Sequence, residues 1–176
     1  MRKHLPLLSL SLLSGALCSA AFALGLFSGL ERFLEDRLFS PKGISSDIVL
    51  VAIDDASLKE LGQWPWPRSY FAAFITTLNE HQPKAVGFDV MFSEPSRIGR
   101  GDDLLLEQAL RDASFPIVFP VEKNADSDLR PLESFTQHTA LGHINVTVDP
   151  DGVVRTFPYD VGDLLPLSAE LLKAGN

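Results

Sequence analysis

From Leu5 to Leu30 the chain carries no charged residue, a run of 26 positions. A helix crossing the hydrocarbon core of a bilayer needs about 20 apolar residues. The run is therefore long enough to span, and everything after it must be placed relative to a membrane. Arg2, Lys3 and His4 precede it and Glu31 opens its far side, a basic flank that predicts a cytoplasmic N-terminus and an exported remainder. Ala21-Phe22-Ala23 offers a signal-peptide cleavage pattern, but apolar residues continue through Leu24, Leu26, Phe27 and Leu30, beyond an ordinary signal core. The expected organisation is residues 1–4 in the cytoplasm, 5–30 as a transmembrane helix or uncleaved signal anchor, 31–44 as a stalk, and 45–176 as one exported domain.

The lone cysteine, Cys18, lies inside the run, so no disulfide within the chain is available. Small packing residue is its simplest role. Beyond position 30 the chain has 13 basic against 23 acidic residues. A surface of that sign disfavours nucleic acid and anionic lipid as partners; most often it serves solubility alone, although cations would be welcome.

Residues 31–39 (ERFLEDRLF) carry apolar side chains at helical spacing, which predicts an amphipathic stalk ending at Pro41 and Gly43. Residues 48–53 (IVLVAI) form a short apolar run stopping at Asp54-Asp55, the pattern of a strand buried on both faces, and are read as the first, central parallel strand. Pro67 opens a helical pattern to about Glu80, and residues 84–90 supply a second buried strand. Residues 102–112 repeat the helical pattern, and 116–121 form a third strand. This βαβαβ order, with right-handed crossovers, predicts a mostly parallel sheet. Residues 123–132 are polar and aperiodic, a surface excursion. Residues 142–148 alternate, with Ile144, Val146 and Val148 on one face and His143 and Asn145 on the other; they return as 153–157 through the turn Asp149-Pro150-Asp151-Gly152. Residues 166–174 close the chain as a helix. The predicted fold class is α/β: an N-terminal transmembrane helix, then a three-layer domain with a mostly parallel βαβαβ sheet, plus a C-terminal β-hairpin and helix.

In an open α/β sheet, ligands bind beyond the carboxyl ends of the strands, where loops and helix N-termini collect. Asp54, Asp55 and Asp89 fall at that edge and Glu94 follows in the next loop. Converging, they would suit Mg²⁺ or Ca²⁺, which take hard oxygen ligands; taken singly, Asp54 or Asp55 caps the helical turn that follows and Asp89 pairs with Arg68. The loop Gln63-Trp64-Pro65-Trp66-Pro67-Arg68 presents two indoles and a guanidinium beside the same edge. Trp64 can stack on a planar or apolar ligand, or the pair of rings can lid the sheet. His143 and Asn145 share a strand face without making a metal triad or a catalytic dyad. No nucleophile elbow, phosphate loop or His-Glu-x-x-His pattern occurs, and no cofactor is expected.

Five stretches resemble, in order, the CHASE type-2 (CHASE2) sensory domain: DIVLVAIDDASL (47–58), LGQWPWPR (61–68), GFDVMFSEP (87–95), LGHIN (141–145) and DPDGVVR (149–155). The resemblance covers residue 45 to the C-terminus. It implies an extracytoplasmic ligand-sensing domain that follows one membrane helix in bacterial receptors, with further membrane helices and a cyclase or kinase output after it. The chain stops at Asn176 without either, so it reads as C-terminally truncated. Asp54, Asp55, Trp64, Arg68, Asp89, Glu94, His143, Asn145 and Arg155 are the motif positions the resemblance singles out for ligand binding.

Three functions compete on these features. The first is a receptor's sensor for a small molecule or ion, held in the membrane by residues 5–30 and forming a homodimer. The second is an exported hydrolase using a divalent metal on Asp54, Asp55 and Asp89. The third is a structural dimerisation module built on the stalk and the C-terminal helix.

Overall fold

The computed structural model describes residues 5–38, 43 and 45–176. Two compact units divide them, residues 1–52 and residues 53–176.

In the first unit, helix α1 (Leu5–Ala23) ends inside the uncharged run and helix α2 (Ser28–Leu38) begins before its end. The stop lies in the backbone at Gly25, whose φ of +68° places it in the left-handed region. Its N–H donates to Phe22 O and the Leu26 N–H to Ala21 O, the paired closing bonds of a Schellman cap. The expected continuous helix over 5–30 is therefore corrected to two helices meeting at 69°. Among the described residues no single helix is long and apolar enough to cross a membrane, although the bent pair passes that test together. The basic flank at 2–4 and the stop at Pro41 lie outside the described residues.

Residues 48–53 form no strand. The Ile48 N–H donates to Ser45 O, and Val49 and Leu50 are 84% and 86% exposed. The prediction of a central strand here is corrected: apolar β-branched side chains supply only the preference, whereas a strand exists through ladder bonds to a neighbour.

The second unit opens with α3 (Asp55–Leu61) and α4 (Arg68–His81). A βαβαβ succession follows: β1 (Val86–Gly87), α5 (Arg100–Arg111), β2 (Ile117–Val121), the short α6 (Glu133–Thr136) and β3 (Ala140–His143). The strands are parallel in the order β1-β2-β3, with Val86 opposite Ile117 and Phe119 opposite Leu141. A parallel sheet was expected, but its members are shifted one place along the chain. Gly142 and His143, read as the start of a hairpin strand over 142–148, instead end the third parallel strand. The hairpin proper is shorter, β4 (Thr147–Val148) against β5 (Val154–Thr156), and α7 (Leu167–Ala174) closes the unit.

Alternation along β2 divides the two faces of the sheet. Phe119 and Ile117 face a core of Phe71, Ile75, Phe88, Phe92, Leu106, Leu110 and Phe135, drawn largely from α4 and α5. Phe92 is its centre, with ring centroids 5.0 Å from Phe71 and 5.2 Å from Phe119. The other face carries α7. A Cβ at Gly142 would sit 2.5 Å from the Cα of Leu167, so only glycine lets the first turn of α7 lie against β3. With the central strand β2 buried along its whole length, the loops beyond the carboxyl ends of the strands are left to shape a site.

Candidate functional site

Immediately past the carboxyl end of β1 lie Asp89 and Val90, and across from them Ile53, Leu58 and Trp64. Together these five line an open cleft of about 300 Å³. Leu58 is brought there by α3, and Asp54 starts that helix: its Oδ1 accepts from the Ser57 N–H at 2.8 Å and from the Ser57 hydroxyl at 2.7 Å. These bonds from Ser57 hold the Asp54 carboxyl below its ordinary value of 3.8. Helix α3 ends at Gly62, and the Gly62 carbonyl accepts from the indole N–H of Trp66 at 2.8 Å. Trp66 in turn lies 5.9 Å from Trp64, and Phe71 lies 6.1 Å from Trp64 edge to face. The Trp64 ring is thus set by two aromatic neighbours while 41% of the residue stays exposed. Asp89 is exposed and makes no hydrogen bond or ion pair among the described residues.

A separate polar assembly is built around Asp102 in the first turn of α5. Asp102 is only 7% exposed. It accepts from the backbone N–H groups of Arg68 (2.8 Å) and Ser69 (2.9 Å) and from the Ser96 hydroxyl (2.6 Å). Pro67, which precedes α4, offers no side-chain cap, so Asp102 caps α4 from 34 residues away. Burial alone would raise its pKa, but the hydrogen bonds from Ser96 and the two N–H groups outweigh burial and keep the carboxyl below 3.8. Asp103 accepts from the Ser96 N–H and lies 3.5 Å from Arg68 Nε. Arg68 Nη2 donates to the Glu94 carbonyl at 2.9 Å, and the guanidinium sits 4.5 Å above the Phe92 ring.

The nine expected positions therefore part company. Trp64 and Asp89 share the cleft. Asp54 is a helix cap, and Asp55 is the first, exposed residue of α3. Arg68 pairs with Asp103, correcting the expected Arg68–Asp89 pair: the hydrogen bonds of α4's first turn to Asp102 draw the arginine to α5. Glu94 contributes its carbonyl to Arg68. His143 is 1% exposed, neither ring nitrogen having a hydrogen-bond partner, which corrects its expected place beside Asn145 on the polar face of one strand; membership of the parallel sheet buries it. Asn145 clamps Lys123, with Oδ1 accepting from its N–H at 2.9 Å and Nδ2 donating to its carbonyl at 2.7 Å. Arg155 ties the hairpin turn through Asp149 (2.7 Å) and Asp151 (3.0 Å).

The converging carboxylate mouth is also corrected. Among the described residues no group of three or more His, Cys, Asp or Glu side chains could hold a metal ion. Sequence reasoning missed Asp102, Asp103 and Ser96, although two acidic residues opening a helix are a recognisable signal for N–H partners. It also missed Leu58 and Val90, apolar residues whose role comes only from where the loops bring them.

A family model described as the CHASE2 domain matches residues 13–175. Comparison with curated proteins and with solved structures gives no match. The family match spans most of the chain, which therefore belongs to the CHASE2 family, a family of sensory domains.

Proposed function

We propose that this CHASE2 chain is the extracytoplasmic ligand-sensing part of a membrane-bound bacterial receptor, and that its ligand seats in the cleft between Trp64 and Asp89. The observation that carries the reading is the cleft itself. It lies beyond the carboxyl end of β1, where open α/β sheets bind ligands, and it joins a half-exposed indole to a carboxylate left without a protein partner among the described residues. An exposed carboxylate with no protein partner, standing beside apolar side chains, is open to a ligand.

Sensing requires that the ligand prefer one of two packings of the domain, since equal affinity for both would shift nothing. The segment 53–64 is suited to that task because it forms one side of the cleft and holds its own aromatic cluster. Ligand seated against Trp64 would move the Trp66 and Phe71 contacts and, through Phe71, the phenylalanine core. The bent pair α1 and α2 supports a membrane attachment by length and composition.

The reading is tested by the thermal unfolding of the full chain in a maltoside detergent, screened against metabolite fractions and divalent ions, with Asp89→Asn screened in parallel. At least one fraction should raise Tm for the parent chain and fail to do so for the variant. A stabilising ligand equally effective on both chains would place the site elsewhere.

A further inference from the structure

The lining of the cleft specifies a chemical class, and we infer that its occupant is a small organic cation, an ammonium group carried on an apolar body. This inference rests on the sensing site proposed above and deepens it. Of the five lining residues, Ile53, Leu58, Val90 and Trp64 present apolar surface, and Asp89 alone carries an ionisable polar group. A carboxylate is only an acceptor when ionised, so the polar end of the occupant must donate hydrogen bonds or carry positive charge.

The alternatives fail on the same inventory. A sugar or other polyhydroxyl compound needs several convergent donors and acceptors, and the lining side chains supply only the Asp89 carboxylate and the Trp64 indole N–H. An anion would meet Asp89 with no basic side chain in the lining to offset it, on a chain of net charge −8. A bare divalent ion takes six or more oxygen ligands, and among the described residues no cluster of three candidate ligands exists. An ammonium uses both unusual features at once. Its charge meets Asp89, and its methyl or methylene groups lie on the Trp64 face, whose quadrupole attracts cations. The volume, about 300 Å³, is at the small end of ligand sites, which run from about 300 to 1,000 Å³.

The test is titration of the full chain in maltoside detergent with choline, followed by calorimetry and by tryptophan fluorescence. The neutral isostere 3,3-dimethylbutan-1-ol serves as partner probe, and sodium chloride holds ionic strength constant. Choline should saturate and bind at least about tenfold more tightly than the isostere. Asp89→Asn should remove most of that difference while leaving isostere binding and Tm unchanged, because Asp89 has no protein partner to lose. Equal affinity for choline and isostere, or choline binding untouched by Asp89→Asn, would overturn the inference. So would absence of saturation by choline, tetramethylammonium and benzylamine alike. If the metabolite screen still shows an Asp89-dependent ligand that is neutral or anionic, the sensing site stands and the cation assignment falls; if no ligand of any class acts through Asp89, both fall.

Discussion

Replacing Asp102 with alanine should destabilise the second unit more than any other single change on its polar surface. The residue is 7% exposed and accepts two backbone N–H groups from the first turn of α4 and one hydroxyl. Alanine leaves all three donors without their partner. A lost helix cap costs roughly 0.5–2 kcal/mol, and a buried donor stranded by removal of its partner costs about 1–3 kcal/mol. Two stranded N–H groups at about 1–2 kcal/mol each, with the Ser96 hydroxyl free to rotate toward another acceptor, give a loss of about 2–4 kcal/mol. Against a domain stability of about 5–15 kcal/mol that is a large fraction. Guanidinium unfolding of the full chain in maltoside detergent, followed by the emission of Trp64 and Trp66, reads it directly, since both indoles flank the start of α4.

The pH dependence supplies a second arm. The folded carboxyl sits below 3.8, so its contribution is fully present above that value and is lost as pH falls through the lower folded pKa. The gap between parent and Asp102→Ala should therefore be constant from neutral pH down to about 5 and shrink below 3.8. A variant within about 0.5 kcal/mol of the parent at neutral pH would refute the remote-cap account, as would a gap that does not narrow in acid.

Further outcomes follow from the packing. Gly142→Ala should cost about 1–3 kcal/mol by overpacking β3 against α7, because the new methyl would meet the Leu167 Cα at 2.5 Å; chemical denaturation checks it, and Gly101→Ala, where a Cβ meets nothing within 4 Å, is the control. Phe92→Ala should cost about 3–5 kcal/mol, as Phe92 is fully buried between Phe71, Phe119 and Phe135. Gly25→Ala should strain the left-handed cap between α1 and α2 by about 1–2 kcal/mol, and circular dichroism of the full chain in detergent should show altered helix content.

Helices were legible because 3.6-residue periodicity is a local property: α4, α5 and α7 lie within two residues of the patterns at 67–80, 102–112 and 166–174. Strand membership was less so. The run at 48–53 has better strand composition than Val86–Gly87, yet only the latter is in the ladder, because pairing depends on distant partners. The burial of His143 escapes the pattern for the same reason; alternation says which residues share a face but leaves open which face is covered. Gly25 stood in plain view inside the uncharged run, outweighed there by the length criterion. Asp89 and Trp64, singled out by the strand-end rule and the aromatic loop, do line one cleft. Arg68 was paired with the wrong aspartate, since Asp89 and Asp103 are equivalent in composition and differ only in where α5 carries the latter.

Recognition of ligand in the Trp64–Asp89 cleft is open to hydrogen–deuterium exchange on the full chain with and without a saturating ligand. Protection is predicted in the segments containing Ile53, Leu58 and Trp64 and in the one containing Asp89 and Val90, with loosening or tightening relayed to the Phe71 turn of α4. Protection confined to the hairpin at 147–156, or to the outer faces of α4 and α5, would contradict it.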